Sequence, residues 1–322
     1  MLKFNRILKY EIKRFKDKGF HLITAIFISY AFLVLYTKIM HSIYQKIIAT
    51  FDLNFIMMFG TNFVSLLSFY FFNLILYICY VSNYPWLEQF KINKTPWPWK
   101  EDKKTWDALL SETLKNLFFN QFFISPILAY CISFIKFPFD IRHNTLPSPQ
   151  DIAKQLLICM IFNDLTFHFA HKLLHSNEFL YKRLHSKHHK YNNPIGISSL
   201  FAHPIEFVLS NVLPAAIGPF ILGKNMHIVT LWAWTFYGIG ETIEQHSGYD
   251  FPFSPYGILP FMFNASYHDF HHSRYRYNYS SIFIFWDCLF GDNNEYYNYL
   301  DYLEKKKLVS KGQSNKNILN VK

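Results

Sequence analysis

Two long apolar runs, Phe20–Met40 and Phe55–Val81, decide most of what this chain can become. A bilayer core about 30 Å thick is crossed by roughly 20 apolar residues in helix. Backbone exposed to lipid must satisfy its own hydrogen bonds, which for single runs of this kind means α-helix. Leu117–Phe137 reads as a third span kinked at Pro126. Ala153–Phe169 reads as a shorter fourth that carries Asp164 and His168. Phe207–Leu222 and His227–Ile239, joined by Gly223-Lys224-Asn225, read as a helical hairpin, spanning or re-entrant. Composition agrees: 51% of residues are hydrophobic and 17% charged, against about 25% charged in soluble domains. The expected fold class is therefore all-α integral membrane, with about four transmembrane helices plus the hairpin.

Basic residues collect in cytosolic segments. Lys3, Arg6, Lys9, Lys13, Arg14, Lys16 and Lys18 precede the first span, and Lys46 stands alone before the second. Lys91, Lys94, Lys100, Lys103, Lys104 and Lys115 follow the second; Lys136 and Arg142 follow the third; Lys172, Lys182, Arg183, Lys187 and Lys190 follow the fourth. The alternation places the N-terminus in the cytosol, and the hairpin returns the last third to the same side. A net charge of +10 distributed beside apolar runs signals membrane anchoring rather than nucleic acid. The four cysteines lack paired spacing, so neither a disulfide framework nor a thiolate zinc site is indicated. The opening residues lack the pattern of a removable signal peptide.

Ten of the fifteen histidines lie in three stretches: His168, His171 and His175; His185, His188 and His189; His246, His268, His271 and His272. Helical positions i, i+3 and i+4 share a face. His171-x-x-x-His175, His185-x-x-His188-His189 and His268-x-x-His271-His272 therefore each turn their imidazoles together, in a helical cap outside the spans. A zinc site takes three or four protein ligands; eight imidazoles, or nine with His246, suit two ions. Imidazole alone leaves iron and zinc both open. Isolated His21, His41, His143 and His227 read as ordinary residues. Metal-bound imidazoles donate their second ring N–H to a carboxylate or carbonyl; Asp164, Asp269, Glu206, Glu241 and Asp287 are candidates. Trp232, Trp234, Phe236 and Tyr237 either line a lipid-substrate pocket or face the bilayer.

The three histidine boxes resemble those of the membrane fatty acid hydroxylase/sterol desaturase superfamily. The resemblance extends through Ala202-His203-Pro204-Ile205-Glu206, Leu231-Trp-Ala-Trp234, Glu241–Pro252, Tyr267–His272, Asn278-Tyr279 and Phe285–Gly291. It covers roughly 155–292 and is closest to the sterol C-4 methyl oxidase (methylsterol monooxygenase) branch. The domain reading is a catalytic domain over 117–300, between an N-terminal membrane region, 1–116, and a polar tail, 301–322, whose composition after Leu303 reads as disordered. The resemblance also implies two iron ions held by His171, His175, His185, His188, His189, His246, His268, His271 and His272; His203, before Pro204, matches a family element outside that set. O2 and NAD(P)H-derived electrons, delivered by cytochrome b5 and its reductase, are implied for oxidation of a sterol at the cytosolic face of the endoplasmic reticulum. Departures from the pattern before Glu241, at Gly238-Ile239-Gly240, and before the third box, at Asn264-Ala265-Ser266, bear on the choice of substrate. The competing expectations are a sterol desaturase or side-chain oxidase, a fatty acid or lipid hydroxylase, and a metal-binding membrane protein that is not an enzyme.

Overall fold

The computed structural model describes residues 2–133, 139–142, 146–262 and 264–319. Isolated bridges are the only β pairings among them. Helix α1, Leu2–Thr50, is broken at Gly19, whose φ of 46° suits a residue without Cβ. The break separates a basic arm from the apolar span. Helix α2, Leu53–Ser82, begins on an Asp52 cap and contains a π-turn at Ile56–Gly60. Then come α3, Lys103–Phe119; α4, Ser125–Ser133; α5, Pro149–Ser176, capped by Ser148; and α6, Glu178–Arg183. The hairpin is α7, Pro204–Asn225, and α8, Ile228–Gln245. The chain closes with α9, Ala265–Arg274, α10, Phe285–Phe290, and α11, Asn294–Leu319.

Among the described residues three helices are long and apolar enough to cross a bilayer: residues Asn5–Thr50 of α1, α2, and α7. The expected third and fourth spans are not among these three. Leu117–Phe137 is helical over its described part: α3 passes through a π-turn at Asn120–Ile124 directly into α4, which ends at Ser133, and positions 134–138 lie outside the described residues. Those positions include Lys136, and His143 lies outside them as well. Ala153–Phe169 is the middle of α5, where buried Asp164 and His168 interrupt the apolar run.

The tail is also corrected. It continues α11 to Leu319, with 320–322 outside the described residues. The basic arm of α1 holds its start: Tyr10 O–H donates to Asp301 at 2.6 Å, and Lys9 pairs with Glu304 at 3.2 Å. Polarity alone suggested disorder; a partner of opposite charge supplied by the other end of the chain was invisible to it.

Helix α7 lies against α5 so closely that a Cβ on Gly218 would stand 2.5 Å from the Cα of Cys159. Helix α8 packs on α2 through Trp232, whose ring covers Gly60 and meets Tyr44 edge-on. Trp234 Nε1–H donates to the Ala215 carbonyl at 2.8 Å, Phe236 stacks on Phe32 at 5.2 Å, and Tyr237 meets Tyr256 at 5.1 Å. These four aromatics thus join α8 to its neighbours; Trp232 and Trp234 are buried there. The result is a frame that brings the ends of α5 and α8 together with α9.

Candidate metal centre

All nine histidines singled out above converge, in two groups. His171, His175, His185, His189 and His271 form one; His188, His246, His268 and His272 form the other. Within each group the facing ring nitrogens lie within 4.8 Å of one another. Helix α5 supplies His171 and His175 one turn apart, and α9 supplies His268, His271 and His272. His246 caps the end of α8. The middle box is not α-helical as expected: His185–Lys190 is a 3₁₀ helix. Its tighter winding sends His188 to one group and His185 and His189 to the other.

Hydrogen bonds fix which nitrogen faces inward in six of the nine rings. Nδ1–H of His171 donates to the Tyr279 carbonyl at 2.9 Å, and that of His271 to the Tyr277 carbonyl at 2.7 Å. Nδ1–H of His272 donates to the Tyr191 carbonyl at 3.0 Å, that of His246 to the Thr242 carbonyl at 2.7 Å, and that of His188 to the Phe201 carbonyl at 3.3 Å. His185 Nδ1–H donates to the Glu206 carboxylate at 2.6 Å. Each of these rings therefore turns an unprotonated Nε2 inward. Nε2 atoms of His175 and His185 approach to 2.7 Å, His185 and His189 to 3.0 Å, and His189 and His271 to 3.2 Å. In the other group His246 and His268 approach to 2.9 Å, and His268 and His272 to 3.1 Å.

Lone pairs aimed at one another repel unless a cation lies between them. A buried acceptor without a donor costs about 1–3 kcal/mol. Nine together rival the whole net stability of a domain, about 5–15 kcal/mol. Protonation does not relieve this, because burial pulls the rings down, His188 to about 4 and His271 to about 3. The donor set fits metal ions, one in each group.

The five acids separate by what they touch. Glu206 alone meets a ring of the two groups. Asp164 instead accepts the Ser281 and Ile282 amides at 2.9 and 2.8 Å. Asp269 takes the Asn93 side-chain amide at 3.0 Å, and Glu241 takes that of Gln245. Asp287 accepts from Tyr267 O–H and the Tyr279 and Ser280 amides. His203 lies apart and caps α7, accepting the Ile205 amide; His227 caps α8 in the same way. In a further grouping of His168, Asp287 and Asp292, Asp292 already has a cationic partner, Lys172 Nζ at 2.5 Å.

Residues 156–292 match the fatty acid hydroxylase family. Methylsterol monooxygenase 1 of Rattus norvegicus is 32% identical over 228 residues, which span 69% of this chain and 72% of that protein. This chain belongs to the fatty acid hydroxylase family. The Gallus gallus methylsterol monooxygenase 1 is 33% identical over 231 residues, 70% of this chain and 74% of its own length. A very-long-chain aldehyde decarbonylase of Oryza sativa is 40% identical over 171 residues, 51% of this chain and 62% of its own. No solved structure matches the chain.

All nine histidines fall inside the family region, but contacts with it begin earlier in the chain. The segment around Phe90–Trp97 pairs with Gly248–Asp250: Ile92 N–H donates to the Gly248 carbonyl and Asp250 N–H to the Phe90 carbonyl, both at 2.9 Å. Lys91 Nζ lies over the buried Trp97 ring, 4.1 Å from its centroid. Asn93 thereby reaches Asp269 beside the metal groups. Sequence reasoning missed this segment; Trp97-Pro98-Trp99 among lysines was its one visible signal.

Proposed function

We propose that this chain is a membrane di-iron monooxygenase that oxidises the C-4 methyl group of a 4-methylsterol. The observation that carries the reading is the inward convergence of nine Nε2 atoms in two groups; the methylsterol monooxygenase relatives support the substrate. His171, His175, His185, His189 and His271 would hold one iron, and His188, His246, His268 and His272 the other. A bound iron pair supplies the O2-dependent chemistry that inserts oxygen into an unactivated C–H bond.

The chain's own residues perform three tasks. The carbonyls and Glu206 fix the tautomer and direction of six of the nine rings. Burial of eight of the nine rings keeps bulk water away, and only His175 is half-exposed. Apolar side chains on the outer faces of α1 and α2, such as Phe27 and Phe63, keep those helices in lipid, where a sterol resides. The ring-A end with its 3-hydroxyl would reach the centre while the tail stays in the bilayer. The proposed setting is the endoplasmic reticulum membrane with the centre facing the cytosol. Electrons would come from NAD(P)H through cytochrome b5 and its reductase.

Microsomes containing this chain, given 4-methylsterol, NAD(P)H and O2, should form hydroxymethyl and then carboxyl products. A sterol product with a new double bond and an untouched methyl would replace this reading with a desaturase. The decarbonylase relative motivates one second reading, a very-long-chain aldehyde substrate. Conversion of such an aldehyde, with 4-methylsterol left unchanged, would establish it.

A further inference from the structure

Between α9 and α10 the chain runs Tyr275-Arg276-Tyr277-Asn278-Tyr279-Ser280. Two carbonyls of this strap face two rings of one metal group. The Tyr277 carbonyl accepts from His271 and the Tyr279 carbonyl from His171. No ring of the four-histidine group takes its Nδ1 partner from the strap among the hydrogen bonds described above. The strap does not hold its own shape by preference. Tyr275, Tyr277 and Asn278 have φ of 57°, 68° and 56°, a region that residues with a Cβ seldom occupy. Such a conformation persists where surrounding contacts over-determine it.

Those contacts meet at Asp287, which is fully buried on α10. Its carboxylate accepts Tyr279 N–H at 2.9 Å, Ser280 N–H at 3.1 Å and Tyr267 O–H at 2.8 Å. Asn278, also fully buried, donates its side-chain amide to the Tyr267 carbonyl and its N–H to the Asp292 carbonyl, each at 3.0 Å. Asp292 is in turn paired with Lys172 on α5, the helix that carries His171 and His175.

We propose that Asp287 and Asn278 are positioning residues for the five-histidine group: they clamp the 275–280 strap so that its carbonyls set the tautomer and aim of His171 and His271. The inference rests on the metal-centre reading and adds that the two ion sites are tuned separately, one by the strap and the other without it. Loosening the strap therefore weakens one ion and spares the other.

The test is a Zn²⁺ titration of purified, metal-stripped full-length chain in detergent. Wild type should take up two equivalents. Asn278→Gly keeps the left-handed backbone accessible while removing the tie to Tyr267. It should weaken one equivalent by roughly 10–100-fold, the cost typical of losing support behind a metal-bound histidine. The other equivalent should be unchanged. His268→Ala, in the other group, should weaken the opposite equivalent and so assign the two. Asp287→Asn should act like Asn278→Gly and more strongly; where it fails to fold, Asn278→Gly decides. Two wild-type equivalents that both stay unchanged in Asn278→Gly overturn the clamp alone, as does equal weakening of both. Fewer than two equivalents in wild type overturn the metal-centre reading and the clamp with it.

Discussion

Nδ1–H of His185, at the start of the 3₁₀ helix, donates to the carboxylate of Glu206, in the first turn of α7, at 2.6 Å. Among the hydrogen bonds that aim the two histidine groups, this is the one that ends on a side chain rather than on the backbone. It is therefore open to substitution without altering the main chain. Glu206→Ala removes the acceptor and should weaken an ion in the five-histidine group by roughly 10–100-fold. Glu206→Gln retains a carbonyl oxygen and should fall between alanine and wild type. Metal content after dialysis against a chelator ranks the three; equal retention in all three would show that His185 needs no partner.

What the sequence made legible was spacing. Pairs at i, i+3 and i+4 mark rings that share a face, and the structure brings every ring of the three boxes into one of two groups, while His168, three residues before His171, stays outside both. The conformation behind the spacing was less legible, since three positions apart also suits the 3₁₀ turn found at His185–Lys190. The hydrogen-bond partners were largely hidden. Asp164 lies two turns before His171 on α5, yet His171 turns to the Tyr279 carbonyl and Asp164 to the Ser281 and Ile282 amides. Every residue owns a carbonyl, so sequence does not advertise which carbonyl a ring will choose.

The middle and last boxes must lie on the same side of the membrane, because His189 and His271 bring their Nε2 atoms to 3.2 Å. With the basic loops assigned to the cytosol, glycosylation acceptors inserted near Lys187 and near Ser273 should both remain unmodified. Modification of both would invert the orientation. Modification of one alone is incompatible with the paired rings.

Gly218 and Gly238 make a matched pair for stability. A Cβ at Gly218 meets the backbone of Cys159 at 2.5 Å, whereas one at Gly238 meets nothing within 4 Å. A backbone atom cannot swing aside, so Gly218→Val should force α7 from α5 at a cost of about 1–3 kcal/mol. Gly238→Ala, in the interior of α8, should be neutral or stabilise by about 0.5–1 kcal/mol through lost freedom of the unfolded chain. Thermal unfolding in detergent should lower the midpoint for the first variant only.

The unequal size of the two groups yields a sharper test than losing the ions altogether. His175→Ala leaves four imidazoles in the five-histidine group, still a complete tetrahedral set for zinc. His268→Ala leaves three in the other group, with a position open to water. His175 is also the half-exposed member of its group, so its removal opens the smallest buried void. The His175→Ala chain should therefore retain two zinc ions under dialysis that strips the His268→Ala chain to about one. Zinc is the right probe, because imidazole sites accept it in place of other divalent metals and it takes no part in redox chemistry. Equal retention in the two variants would show that the nine rings do not divide five and four. The reverse order would place His175 at the heart of its site rather than at its edge.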